Sequence, residues 1–88
     1  MFGIGMSINI LNPITPGQCR AARALLDLTQ PQLAVLAGLG LSTVVDFERS
    51  RRDVSREAVM GLKVTLEKAG VQFIVKNNAG GEGVRLRV

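Results

Sequence analysis

The chain has 88 residues, a net charge of +4 and an apolar content of 47%, enough for one small domain with a modest core and too much for a chain disordered throughout. It contains no His and a single Cys, Cys19, which removes histidine general bases, His-ligated metals, cysteine zinc clusters and intrachain disulfides. Its only aromatic residues are three Phe, a poor basis for stacking single-stranded nucleic acid, and no apolar run nears the ~18 residues of a membrane helix.

In chain order, Phe2, Ile4, Met6, Ile8 and Ile10 alternate with Gly3, Gly5, Ser7 and Asn9. The period of two marks residues 1–14 as an extension with a candidate N-terminal β-strand, weakened by its glycines. Asn12-Pro13-Ile14 breaks it. Thr15-Pro16 then opens a helix to about Leu26, with Thr15 as N-cap and Pro16 where a missing N–H costs nothing. Its predicted inner stripe is Cys19, Ala22, Leu25 and Leu26, with Arg20 and Asp27 facing out. Thr29 caps a second helix, about Gln30–Ala37, in which Pro31 is tolerated because it lies in the first turn. Gly38-Leu39-Gly40 separates it from a third helix, Leu41 to Arg49. Gly38 suits the left-handed exit and Gly40 the next N-cap.

Val44 and Phe47 share one face of the third helix. Ser55 caps a fourth helix whose inner stripe is Val59, Leu62, Leu66 and Ala69, ended by Gly70. Gly61 within it costs about 1 kcal/mol relative to Ala, so close packing is expected there. Beyond Gly70 the period returns to two: Val71, Phe73 and Val75, a turn at Asn77-Asn78-Ala79-Gly80-Gly81, then Val84, Leu86 and Val88. This is a β-hairpin with one apolar face, which needs the helices, the N-terminal strand or a second subunit against it. The expected fold is mainly α: a four-helix bundle over 15–70 with a C-terminal β-hairpin over 71–88.

The charge is uneven. Residues 1–48 carry two bases, Arg20 and Arg23, against three acids, a net −1, whereas residues 49–88 carry nine bases against four acids, a net +5. Arg49, Arg51, Arg52 and Arg56 crowd the segment between the third and fourth helices with only Asp53 among them. Arginine forks suit phosphate. The plain alternative is a solvated loop.

Two short helices joined at Gly38-Leu39-Gly40 form the core of a helix-turn-helix, whose first helix anchors across a DNA backbone and whose second projects into the major groove. Thr29-Gln30 puts a polar side chain and free backbone N–H groups at a helix N-terminus, which favours a phosphate.

Arg23, Thr29-Gln30, Leu33-Ala34, Ala37-Gly38, Thr43-Val44 and Phe47-Glu48-Arg49 resemble the phage-repressor/Cro type of helix-turn-helix, the XRE family, over residues 15–70. Gly70-Val71-Gln72-Phe73-Ile74 and Gly83-Val84-Arg85-Leu86-Arg87 resemble the tail of a subgroup of short bacterial regulators.

The resemblance implies that Gln30 touches phosphate and braces the recognition helix, that Leu41, Ser42, Val45 and Asp46 fall where base edges are reached, and that Thr43 contacts phosphate or base. It places Arg49, Arg51, Arg52 and Arg56 along the backbone, and makes Arg23 and Glu48 an internal ion pair. The chain departs from the family pattern at Leu41, often Gln or Arg, and at Ser50, often Gly. Leu41 and Val45 can contact only thymine methyls. Asp46 repels phosphate but can accept from cytosine N4, or else makes a local pair with Arg49 or Arg23. Direct readout would then be sparse and DNA shape correspondingly important.

Two functions follow. In the first, the chain is a sequence-specific double-stranded DNA-binding regulator of transcription: a cytoplasmic homodimer on a near-palindromic operator, needing no cofactor or metal, with another protein or simply its own concentration as effector. The hairpin supplies or supports the dimer contact. In the second, the helix-turn-helix is a scaffold for protein interaction, antitoxin-like or anti-regulator, using an apolar patch of Val35, Leu36, Leu39 and Leu41. An enzyme is not expected, because no nucleophile–base pair or carboxylate dyad stands at usable spacing. Cys19 is read as core rather than as a redox sensor.

Overall fold

The computed structural model describes residues 13–88. The candidate N-terminal strand lies outside the described residues. Among the described residues, four helices, α1 (Pro16–Leu26), α2 (Gln30–Ala37), α3 (Leu41–Glu48) and α4 (Arg56–Ala69), precede an antiparallel hairpin of β1 (Val71–Ile74) and β2 (Gly83–Leu86). The architecture is the expected mainly α bundle with a C-terminal hairpin.

Local chemistry sets the helix starts. Thr15 Oγ1 accepts from the Gln18 N–H at 3.1 Å while Gln18 Oε1 accepts from the Thr15 N–H at 2.9 Å. Thr29 and Gln32 repeat this reciprocal box at 3.2 and 2.9 Å, each satisfying two otherwise orphaned donors. Ser55 Oγ caps α4 through the Ala58 N–H at 3.1 Å.

The exits of the first three helices share one device. Asp27, Gly38 and Ser50 adopt left-handed φ values of 55°, 69° and 53°. The following residues, Leu28, Leu39 and Arg51, donate their N–H groups back to Arg23, Ala34 and Asp46 carbonyls, each at 2.9 Å. These are Schellman closures, and the apolar residue after such a turn commonly packs inward. Leu28 and Leu39 do so, lying against the core. Leu39 therefore leaves the exposed patch in which the sequence placed it.

One core unites the helices with the hairpin: Ile14, Cys19, Ala22, Leu33, Val44, Val59, Leu62, Leu66 and Val71 are fully buried. At three positions the interior differs from what the pattern predicts. Gln18, not Leu25, completes the α1 stripe: Gln18 is 7% exposed and Leu25 42%. The reason is polar: Gln18 Nε2 donates to the Ile74 carbonyl at 3.1 Å and the Gly83 carbonyl at 2.9 Å, tying α1 to both strands. Ala69 is exposed, one residue before Gly70 turns the chain into β1. Gly61 is not required by close packing: a Cβ there would meet nothing within 4 Å beyond its chain neighbours and its own helix backbone, among the described residues.

In the hairpin Val71 pairs with Leu86, Gln72 with Arg85, Phe73 with Val84 and Ile74 with Gly83. Val71, Phe73, Val84 and Leu86 thus share one face, as the alternation predicts. The strands are shorter than their pattern, because Val75 and Val88 fall outside them. The connection is pinned at Asn77, whose Oδ1 accepts from the Ala79 and Gly80 N–H groups.

Candidate nucleic-acid interface

The candidate site is built on α2, its turn and α3, locked from behind by Glu48. That carboxylate is 1% exposed. Its Oε2 accepts from Arg23 Nε at 2.7 Å and its Oε1 from Arg23 Nη2 at 2.8 Å, a two-point fork. Gln30 Nε2 donates to Oε1 at 2.9 Å, and the Cys19 thiol donates to Oε2 at 3.1 Å. Arg23 also holds the Leu28 carbonyl through Nη1 at 3.1 Å. Arg20 Nη1 donates to the Glu48 backbone carbonyl. Side chains from α1 and α2 therefore converge on the last residue of α3, and buried polar groups satisfied in this way fix one arrangement of the elements.

The electrostatics follow from the geometry. Burial pushes the Glu48 carboxyl up, but the hydrogen bonds from Arg23, Gln30 and Cys19, together with the Arg23 charge, outweigh it and hold the group below the usual range. The bond to Glu48 pushes the Arg23 guanidinium further up. Burial, then the neighbouring carboxylate, push the Cys19 thiol well above its usual range. It is a structural hydrogen-bond donor kept protonated.

The Arg23–Glu48 pair stands where the resemblance puts it. Gln30 braces α3 through Glu48, which commits its amide nitrogen inward. Arg20 and Cys19 are partners of Glu48 that the sequence reading missed. The signal for Arg20 was its i, i+3 spacing from Arg23, which puts both cations on one face. Nothing in the sequence marked the thiol.

In front of this lock, Leu41 and Ser42 are exposed, and Thr43, Val45 and Asp46 are half-buried. Residues 41, 42, 45 and 46 line one face at helical spacing. The helix ends at Glu48, and Arg49 is its cap, with φ −100° and ψ 3°. Arg49, Arg51, Arg52 and Arg56 are exposed. Thr29 is exposed too, its hydroxyl oxygen engaged in the α2 cap.

Asp46 pairs with neither Arg49 nor Arg23. Its Oδ2 accepts from Arg52 Nε at 2.8 Å, and this ties the loop to the exposed face of α3.

A second surface lies on α2, where Val35 is 80% and Leu36 59% exposed. With Leu28, Pro31 and Gln32 they line a shallow apolar depression. The helix Gln30–Ala37 carries no charge at all.

Among the described residues there is no group of three His, Cys, Asp or Glu side chains that could hold a metal ion. No described helix is long and apolar enough to cross a membrane. Neither models of known families nor curated protein sequences give a match to this chain.

Proposed function

We propose that this chain is a sequence-specific double-stranded DNA-binding regulator of transcription that acts as a cytoplasmic homodimer, with α3 in the major groove. The observation that carries the reading is the α2–turn–α3 unit. It is fixed from behind by a fully hydrogen-bonded Glu48, and it presents an exposed α3 face beside four exposed arginines. A rigid recognition helix with a basic flank is what groove insertion requires: the arginines neutralise phosphates and set register, and the helix face meets base edges. Ser42 and Thr43 offer hydroxyls, and Leu41 and Val45 offer methyl contacts to thymine. Arg49, Arg51 and Arg52 lie in the loop, and Arg56, expected there too, lies instead at the first position of α4; with these arginines in each subunit, a dimer neutralises about eight phosphates. Selection of duplexes from a random-sequence pool tests this. The expected product is a near-palindrome whose half-sites lie about 10 bp apart, centre to centre. Recovery of unenriched sequence would refute sequence-specific binding.

The exposure of Val35 and Leu36 favours a second reading, in which the same scaffold binds a protein through α2. Replacing Arg51 and Arg52 with Ala separates the two: DNA affinity falls steeply in the first, while partner binding is unchanged in the second.

A further inference from the structure

An acidic side chain on the groove-facing side of a recognition helix is an anomaly, because it adds repulsion against a polyanion. The structure gives it a different role. Asp46 engages the following loop twice. Its backbone carbonyl accepts the Arg51 N–H at 2.9 Å, closing the turn that left-handed Ser50 makes possible. Its carboxylate accepts Arg52 Nε at 2.8 Å. The two side chains differ in exposure, at 21% for Asp46 and 52% for Arg52. The acid sits against the protein and the base projects from it.

The bonded nitrogen matters. Nε is the inner corner of the guanidinium, and holding it fixes the plane of the group. The terminal nitrogens stay at the outer edge, where Nη1 makes only a 3.5 Å contact to the Asp53 carbonyl. That outer edge is the part that forks onto two acceptor atoms. An unheld arginine would have to lose its rotamer freedom on binding, whereas one held by Asp46 has already lost part of it.

We propose that Asp46 is a positioning residue and Arg52 the nucleic-acid contact it positions: Asp46 presents the outer guanidinium edge of Arg52 to a pair of acceptors on duplex DNA. The acceptors are either two phosphate oxygens or guanine O6 and N7, which the same fork fits. On this account Asp46 itself does not accept from cytosine. The proposal rests on the DNA-binding reading above.

The test compares wild type, Asp46→Asn, Asp46→Glu, Arg52→Ala and the Asp46→Asn/Arg52→Ala double variant. Each is titrated on the duplex that wild type selects from a random pool and on a scrambled duplex, at several salt concentrations. Simple electrostatics predicts that Asp46→Asn binds more tightly, because a negative charge is gone. The positioning role predicts the opposite sign: affinity for the selected duplex falls by about fivefold, Asp46→Glu recovers part of the loss, and the double variant binds no worse than Arg52→Ala alone. If the acceptor is phosphate, Arg52→Ala weakens all duplexes alike and lowers the salt slope. If it is guanine, Arg52→Ala relaxes the preference at one G·C position.

Tighter binding by Asp46→Asn, or an undiminished Asp46→Asn effect without Arg52, overturns the positioning role while leaving the DNA reading intact. Failure of wild type to select any duplex overturns both.

Discussion

Replacing Glu48 with Ala removes the acceptor on which Arg23, Gln30 and Cys19 all converge. The helix residue itself is well tolerated in a last turn, so backbone propensity contributes little. What is lost is the partner of a charge. Removing one member of a buried ion pair costs about 3–5 kcal/mol, because the remaining charge is left desolvated and unpaired. Here Glu48 is 1% exposed but the Arg23 side chain 20%, so water partly compensates the stranded guanidinium and the lower end, about 3 kcal/mol, applies.

The Gln30 amide and the Cys19 thiol also lose their acceptor. Gln30 can turn to solvent, whereas Cys19, at 0% exposure, cannot. Against a stability of about 0.05–0.15 kcal/mol per residue, this is a large part of the total for so small a chain. Urea unfolding followed by far-UV circular dichroism measures it. A midpoint shift equivalent to less than about 1 kcal/mol would refute the view that Glu48 is the structural lock. The double substitution Arg23→Met/Glu48→Leu gives a second check. Removing both charges together costs much less than either single change, since no buried charge is stranded.

Three further outcomes are expected. Because the folded Glu48 carboxyl is held below the ordinary carboxylate range, its stabilisation is fully present above that range and is lost as pH falls through the lower folded value. Unfolding midpoints measured between pH 7 and 3 should show an acid-side decline that Glu48→Gln flattens. Ser50 holds a φ of 53° that L-residues adopt at a cost, so Ser50→Gly should leave stability unchanged or raise it by up to about 1 kcal/mol, and Ser50→Val should lower it, both read from thermal melts. Replacing Gln18 with Leu leaves the Ile74 and Gly83 carbonyls without their side-chain donor. Amide exchange across residues 71–86 should accelerate, with a stability loss of about 1–2 kcal/mol.

The elements were legible because their boundaries are written in local chemistry. Thr15-Pro16 and Thr29-Gln30-Pro31 announce helix starts through the capping oxygen and the proline, and Gly38 announces an exit. The apolar periods switch from helical to alternating at Gly70. What the sequence concealed were choices made by tertiary contact. Gln18 is polar and looks like a surface residue, yet it is buried because two strand carbonyls, 56 and 65 residues away, need a donor.

Leu25 lies on the same helix face seven residues later, in the last turn, where it is exposed. The Asp46–Arg52 pair spans the left-handed turn at Ser50, which no helical spacing rule anticipates. In the candidate site, the family-like string located α3 and the Arg23–Glu48 pair. The contribution of Cys19 to the lock depends on how α1 crosses the end of α3, and that crossing is set by packing rather than by any local signal.

In the proposed complex Arg49, Arg51 and Arg52 of the loop, with Arg56 at the start of α4, flank a DNA-reading helix in each subunit of a dimer. The most direct measurement is the salt dependence of binding to the selected duplex for wild type and for Arg51→Ala/Arg52→Ala. With about eight phosphates neutralised, the slope of log affinity against log salt should be about −7, and removal of four arginines per dimer should bring it to about −4. A wild-type slope that the double substitution leaves unchanged, or equal affinity for a scrambled duplex, would contradict the account.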